Sequence, residues 1–340
     1  MVGVDLAPPL TADKAGQLVM LQIVLVGVGA GAASSLLFAS VATGSILATL
    51  LFYMASLPIL IAALGWSHWA GLVAGIVAAA SLGAALGIYF FMAFLIGIAL
   101  PAWWLSYLSL LARPVGANGT MTFEWYPIGR VLLWAALIGA LLVVVAIPNF
   151  GTDKESFQTA LREAFERALR LQAPPKLPGS APGTDTERLI GILVAAIPPA
   201  AAVLATLINI ANLWLAGRIV KLSGRLARPW PDLSTLTLPT FAPTLVAIAI
   251  AGTFLPDLAG IVSGVVAASL ITAYALLGFA ILHAITRGAS YRTFWLFGAY
   301  AAVAILGWPV LAMALLGLAD SAFNIRARLA LKHGPPGPQT

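Results

Sequence analysis

The chain has 340 residues, of which 61% are hydrophobic and only 9% charged, where a soluble domain carries about 25% charge. Uncharged apolar runs recur along it, so a soluble globular domain is excluded and an all-α, polytopic transmembrane helical bundle is predicted. Without cysteine there are no disulfides or thiolate metal sites, three scattered histidines argue against a metal centre, and the net charge of +6 sits in short links where membrane topology explains it better than nucleic acid does.

Residues 1–17 read as a cytoplasmic N-terminal tail. Asp5 and Asp13 do not suit the basic start of a secretory signal, so residues 18–39 are taken as a retained first span, with Gly27, Gly31 and Ser35 as a small-residue strip. The second span, 45–64, contains Pro58, which removes a backbone donor and predicts a kink or local opening. Trp66, His68 and Trp69 follow, as at a membrane interface. In the third span, 66–85, Gly71, Gly75, Ala79 and Gly83 recur every fourth position. On a helix they form one nearly bare face that lets a neighbouring backbone come close. The fourth span, 88–111, is interrupted by Pro101 and followed by Trp103, Trp104 and Tyr107, which form either an interfacial belt or the lining of a cavity opened by the proline. The link 113–130 holds Glu124, Trp125 and Tyr126, which either anchor the fifth span, 131–147, or cap a cavity. Residues 18–148 are therefore a first group of five spans.

Residues 149–188 are the longest polar region. Phe157, Leu161, Phe165, Ala168 and Leu169 recur at helical spacing among charged residues, which predicts an amphipathic helix lying on a surface, followed by a Pro/Gly linker over 174–183. A second transmembrane group, 189–320, follows. It contains a sixth span at 189–215 with Asn209 and Asn212 near its end, a basic link, a short apolar stretch at 241–255, a full span at 258–285 with Gly260 and Gly264 on one face, and a last span at 293–318. Residues 321–340 read as a basic, disordered tail. The positive-inside bias favours a cytoplasmic N-terminus in a bacterial inner membrane. If 241–255 re-enters there are eight spans and the tail is inside; if it crosses there are nine. The short stretch and the Pro256–Asp257 break favour eight.

Asp257 is either a costly polar group at depth, serving a ligand, ion or proton, or a cap of the following helix. Asn209 and Asn212 either bond across helices or hold a polar ligand. His283 lies one turn from Arg287, an arrangement suited to lipid phosphate; a proton relay would need an acidic partner, and Asp320 is the nearest in sequence. There is no phosphate-binding glycine loop, no zinc-protease motif, no nucleophile elbow and no paired transmembrane carboxylates, so no catalytic residue, metal or cofactor is expected.

A resemblance adds to this reading. The runs Phe52-Tyr53, Leu57-Pro58-Ile59-Leu60, Leu64-Gly65-Trp66, Pro101-Ala102-Trp103-Trp104, Glu124-Trp125-Tyr126-Pro127-Ile128-Gly129-Arg130, Thr286-Arg287-Gly288, Trp308-Pro309 and Gly317-Leu318-Ala319-Asp320 resemble a family of bacterial integral membrane proteins of unknown function, in its proteobacterial branch. That family is distantly similar to the substrate-binding components of energy-coupling-factor vitamin transporters. The resemblance implies a bundle with an outward-facing cavity that couples to a membrane partner through small-residue faces, with Gly27, Gly31 and Ser35 as first candidates. The expected function is a non-catalytic component that binds or transports a small molecule or lipid. A scaffold or assembly factor acting through its glycine ridges, as a homo-oligomer or with a membrane partner, is the alternative, and a lipid-handling enzyme is the third choice. The ligand candidates are Trp103, Trp104, Tyr107, Glu124, Asn209, Asn212, Asp257 and His283.

Overall fold

The computed structural model describes residues 12–117, 120–172, 184–287, 289–326 and 328; the expectations for residues 1–11, for the Pro/Gly linker at 174–183 and for 329–340 lie outside them. In chain order the elements are α1 (Ala12–Ala39), α2 (Ile46–Tyr53), α3 (Leu57–Gly65), α4 (His68–Leu86), α5 (Ile88–Phe94), α6 (Leu100–Leu110), strands β1 (Ala112–Ala117) and β2 (Thr120–Trp125), α7 (Ile128–Ala146), α8 (Lys154–Gln172), α9 (Thr184–Leu222), α10 (Ala242–Gly252), α11 (Asp257–Ile285), α12 (Arg292–Leu306) and α13 (Pro309–Phe323). Among the described residues, seven helical stretches are long and apolar enough to cross a membrane: Gly16–Thr43, Ile46–Gly65, His68–Leu86, Ile88–Leu110, Ile128–Asn149, Ile190–Leu222 and Asp257–Ile285. Three apolar helices, α10, α12 and α13, are shorter. The chain forms two compact units, Met1–Tyr126 with Ala211–Trp230, and Pro127–Ile210 with Pro231–Thr340, so α9 contributes to both.

In the first unit the glycine ridge of α4 is filled by the chain itself. A side chain at Gly71 would strike Ala63 of α3, one at Gly75 would strike Ala99, and one at Gly83 would strike Phe91 of α5. On α1, Gly27 lies against Val73 and Gly31 against Val77 and the Ala74 carbonyl. Ala79 is fully buried, and Ser35 turns back onto the Ala32 carbonyl of its own helix. Pro101 has no N–H for the carbonyl of Gly97, and the preceding turn, Leu95–Ala99, widens into a π-helical turn.

Pro58 acts as expected on the second span, which breaks at residues 54–56 into α2 and α3. The break frees carbonyls from their places in the helix, and in an apolar span these need another donor. Two side chains from other helices take them up: the Ser34 hydroxyl donates to the Ala55 carbonyl, and the Asn212 amide donates to the Tyr53 carbonyl at 2.8 Å. Both residues are buried. Asn212 therefore splices the bundle. Asn212→Leu is expected to lower stability in detergent by about 1–3 kcal/mol, the cost of one orphaned carbonyl. An unchanged thermal midpoint would show that the break does not depend on this bond.

The link between the fourth and fifth spans is not the simple loop read from sequence. It holds an antiparallel hairpin with Arg113 opposite Glu124. The two side chains pair at 2.6 Å on the exposed face, a cross-strand contact that fixes register.

In the second unit, α7, α9 and α11 enclose an apolar core. The Thr206 hydroxyl donates to Ser269 at 3.2 Å, with both residues fully buried, and Gly139 makes room beside Thr206. The amphipathic helix α8 lays Phe157 and Leu161 on Ile147, Ile190 and Val194, so its apolar face covers protein rather than lipid. At its start, the backbone N–H and hydroxyl of Ser156 hold the Asp153 carboxyl below its usual range.

The stretch 241–255 reads as too short to cross. In the structure its helix is α10, and the irregular residues before it pack inward, with Leu236 and Leu238 buried and the Thr237 carbonyl pressed against Gly129. α10 then folds back on α11, with Gly252 against Ser263 and Gly260 against the Leu255 carbonyl. Gly264, grouped with Gly260 in the sequence reading, faces open space and is not a packing position.

The last span needs correction. Residues 293–318 do not form one helix. Gly307, at φ 73°, and Pro309 divide the stretch into α12, none of whose residues is buried, and α13, which packs antiparallel on α11 where Gly278 meets Met313 and Gly317 meets Tyr274. The boundary at 320/321 also fails, because α13 continues to Phe323 and the chain is pinned beyond it. Asn324 closes the helix in the left-handed region. The Arg326 guanidinium pairs with Asp320 at 2.8 Å and donates to the carbonyls of Ser234 and Leu236 at 2.6 and 2.7 Å.

Candidate functional site

The ends of α3, α6 and α9 and the start of α4 bring an aromatic and cationic cluster together within the first unit. Ser67 caps α4 by accepting the Trp69 N–H, and this sets His68 at the helix start. His68 lies 4.9 Å from Trp69 and edge-on to Tyr107 at 5.4 Å. Tyr107 stacks on Trp103 at 5.8 Å and tilts against Trp104. Trp103, Trp104 and Tyr107 thus form one aromatic block with His68.

The cations come from the end of α9. Gly224, at φ 70°, terminates that helix, and the Arg225 N–H donates back to the Val220 carbonyl. Only a residue tolerant of this conformation turns the chain here. The turn directs Arg225 over the Trp66 ring at 4.5 Å. Arg228 donates to the Ser109 carbonyl at the end of α6, and its half-burial lowers its pKa from the ordinary arginine value. Trp230 returns over Gly217, and Arg218 and Lys221 lie 5.4 and 5.0 Å from its ring centre. Arg218 also lies 5.9 Å from Trp214. Among the described residues, Arg218, Lys221 and Arg225 form no ion pair. The indole N–H groups of Trp66 and Trp103 are buried without an acceptor. The cluster has an excess of donors and positive charge.

The other candidates lie elsewhere. Glu124 is engaged by Arg113 on the hairpin. Asn209 is in the second unit, its amide nitrogen buried without an acceptor. Asp257 is exposed at the start of α11, in the left-handed region at φ 57°, and its side chain makes no capping bond. His283 bonds the Tyr300 hydroxyl at 2.9 Å rather than Asp320, whose carboxylate holds Arg326; the relay considered from sequence is not assembled. A shallow recess of about 580 Å³ along α8 is lined by Phe150, Asp153, Ser156 and Glu163 among others. Among the described residues, no three acidic or histidine side chains are grouped to hold a metal.

The aromatic block is legible in the sequence, and the basic link is legible as a topology signal and as a Trp/Arg-rich patch suited to lipid headgroups; that the link turns back onto Trp66 and the end of α6 is not. The clue was the alternation Trp214, Arg218, Lys221, Arg225, Trp230. Comparison with protein-family models, curated proteins and solved structures gave no match for this chain.

Proposed function

We propose that this chain is a non-catalytic integral membrane protein that binds a lipid through its anionic headgroup, at the aromatic and cationic end of the first unit. One observation carries the reading: Arg218 and Lys221 both lie over Trp230, yet neither meets a carboxylate among the described residues. Cations held against indole at a membrane boundary suit phosphate oxygens. Each basic side chain near an anionic surface is worth about 1 kcal/mol. The excess of Lys and Arg in this link favours the cytoplasmic side of a bacterial inner membrane for this end, with the N-terminus on the same side. The resemblance to transporter substrate-binding components supports a role as the binding member of a transport assembly. The glycine faces of α4 are occupied by the chain's own helices, which favours binding over scaffolding through those faces.

The test is lipid retention by native mass spectrometry in neutral detergent. The wild-type protein is expected to retain anionic phospholipid, and the double variant R218A/K221A roughly thirtyfold less. Equal retention by both would reject the reading.

A further inference from the structure

We propose that Trp66 and Arg225 form an oxyanion-binding element that takes a phosphate oxygen of the lipid headgroup, an inference that rests on the headgroup reading above but on different residues. The Trp66 indole N–H is buried and has no acceptor. A buried donor without a partner points to an acceptor that is brought from outside the chain. The Arg225 guanidinium lies 4.5 Å from the centre of the same ring. Stacking on the ring face leaves the N–H groups at the rim of the guanidinium free for an anion. A neutral acceptor such as water would satisfy the indole alone, whereas an oxyanion satisfies both the indole and the cation.

The acids of the flanking links have partners of their own. Glu124 is paired with Arg113, and Asp232 lies in the second unit, where it holds Arg287 at 3.2 Å. Neighbouring Arg228, half-buried where Arg225 is exposed, donates to the Ser109 carbonyl and adds a second positive charge three residues along the same link. The fold builds the element from a turn and a helix stop: Trp66 ends α3, and Gly224 sends Arg225 back toward it.

The experiment uses the full chain in neutral detergent with ¹⁵N-labelled tryptophan. The Trp66 indole resonance is identified by its absence in Trp66→Phe. Short-chain phosphatidic acid is titrated in one arm and inorganic phosphate in the other. The expected result is a saturable downfield shift of the Trp66 indole proton with phosphatidic acid, and about tenfold weaker binding by Trp66→Phe, which keeps an aromatic face for Arg225 but removes the donor. A shift with the lipid alone identifies a headgroup anchored by its chains; a shift with both probes identifies an element that also takes free phosphate. An unmoved Trp66 resonance, while mass spectrometry shows lipid retained through Arg218 and Lys221, overturns this proposal and leaves the headgroup reading standing. No retention and no shift overturns both.

Discussion

Gly278→Leu is expected to destabilise the protein by at least about 3 kcal/mol, beyond the usual range for overpacking. A side chain at this position would coincide with the carbonyl of Met313, a backbone atom of α13 that cannot rotate aside. Gly317 of α13 makes the reciprocal approach to the Tyr274 carbonyl, so the two helices meet with no side chain between them. In lipid, where apolar side chains gain little by leaving their surroundings, this closeness is itself the source of helix association. The measurement is an unfolding titration in mixed micelles. Gly264→Leu, on the same helix, is the control: nothing lies within 4 Å of a side chain added there. It is expected to change stability by no more than about 0.5 kcal/mol. Equal effects at the two glycines would mean that the α11–α13 contact does not limit stability.

The second large effect is expected at Arg326. Its guanidinium serves the Asp320 carboxylate and the carbonyls of Ser234 and Leu236, and the side chains of Arg326 and Asp320 are only 15% and 6% exposed. Removing one member of a buried pair leaves an uncompensated charge, so Arg326→Ala should cost about 3–5 kcal/mol. The irregular segment before α10 should then lose its anchor, and its amides should exchange faster with solvent. Replacing both members by apolar residues, Asp320→Leu with Arg326→Met, should recover part of the loss. It should not recover all, because the Ser234 and Leu236 carbonyls still lack a donor. A single variant as stable as the parent, with unchanged exchange across residues 232–238, would show the pair to be dispensable.

These two sites mark where reading along the chain succeeds and where it stops. The effect of Pro58 was legible, because a missing N–H breaks a helix wherever it occurs. The donors that repair the break, Ser34 and Asn212, come from 21 and 159 residues away from their acceptors, and no local pattern selects them. The ridge Gly71, Gly75, Gly83 was legible as a face; its occupants, Ala63, Ala99 and Phe91, were not. At Gly264 no other part of the chain approaches, because a small residue permits close approach without requiring it. In the last span a continuous apolar run concealed the division at Gly307, since hydropathy reports the environment and not backbone continuity. The tail was read as disordered from its composition, which carries no information about the carbonyls that Arg326 would find.

For the candidate site, the aromatic block of Trp103, Trp104 and Tyr107 was visible because its members lie within one helical turn or so of each other. The basic link was visible as charge. Their meeting depends on Gly224 turning the chain at the end of α9 and on α3 and α6 ending beside it.

The apolar, helical character of the chain and the break near Pro58 could be read along the residues, because they follow from local hydropathy and from which residues can donate a backbone hydrogen bond; the hairpin and the division at Gly307 could not. The tertiary structure alone decided which faces touch, which polar groups are satisfied and which cations remain without an anion. Those outcomes depend on distances between residues far apart in the chain, and in an apolar medium each unsatisfied group is too costly to be left to chance.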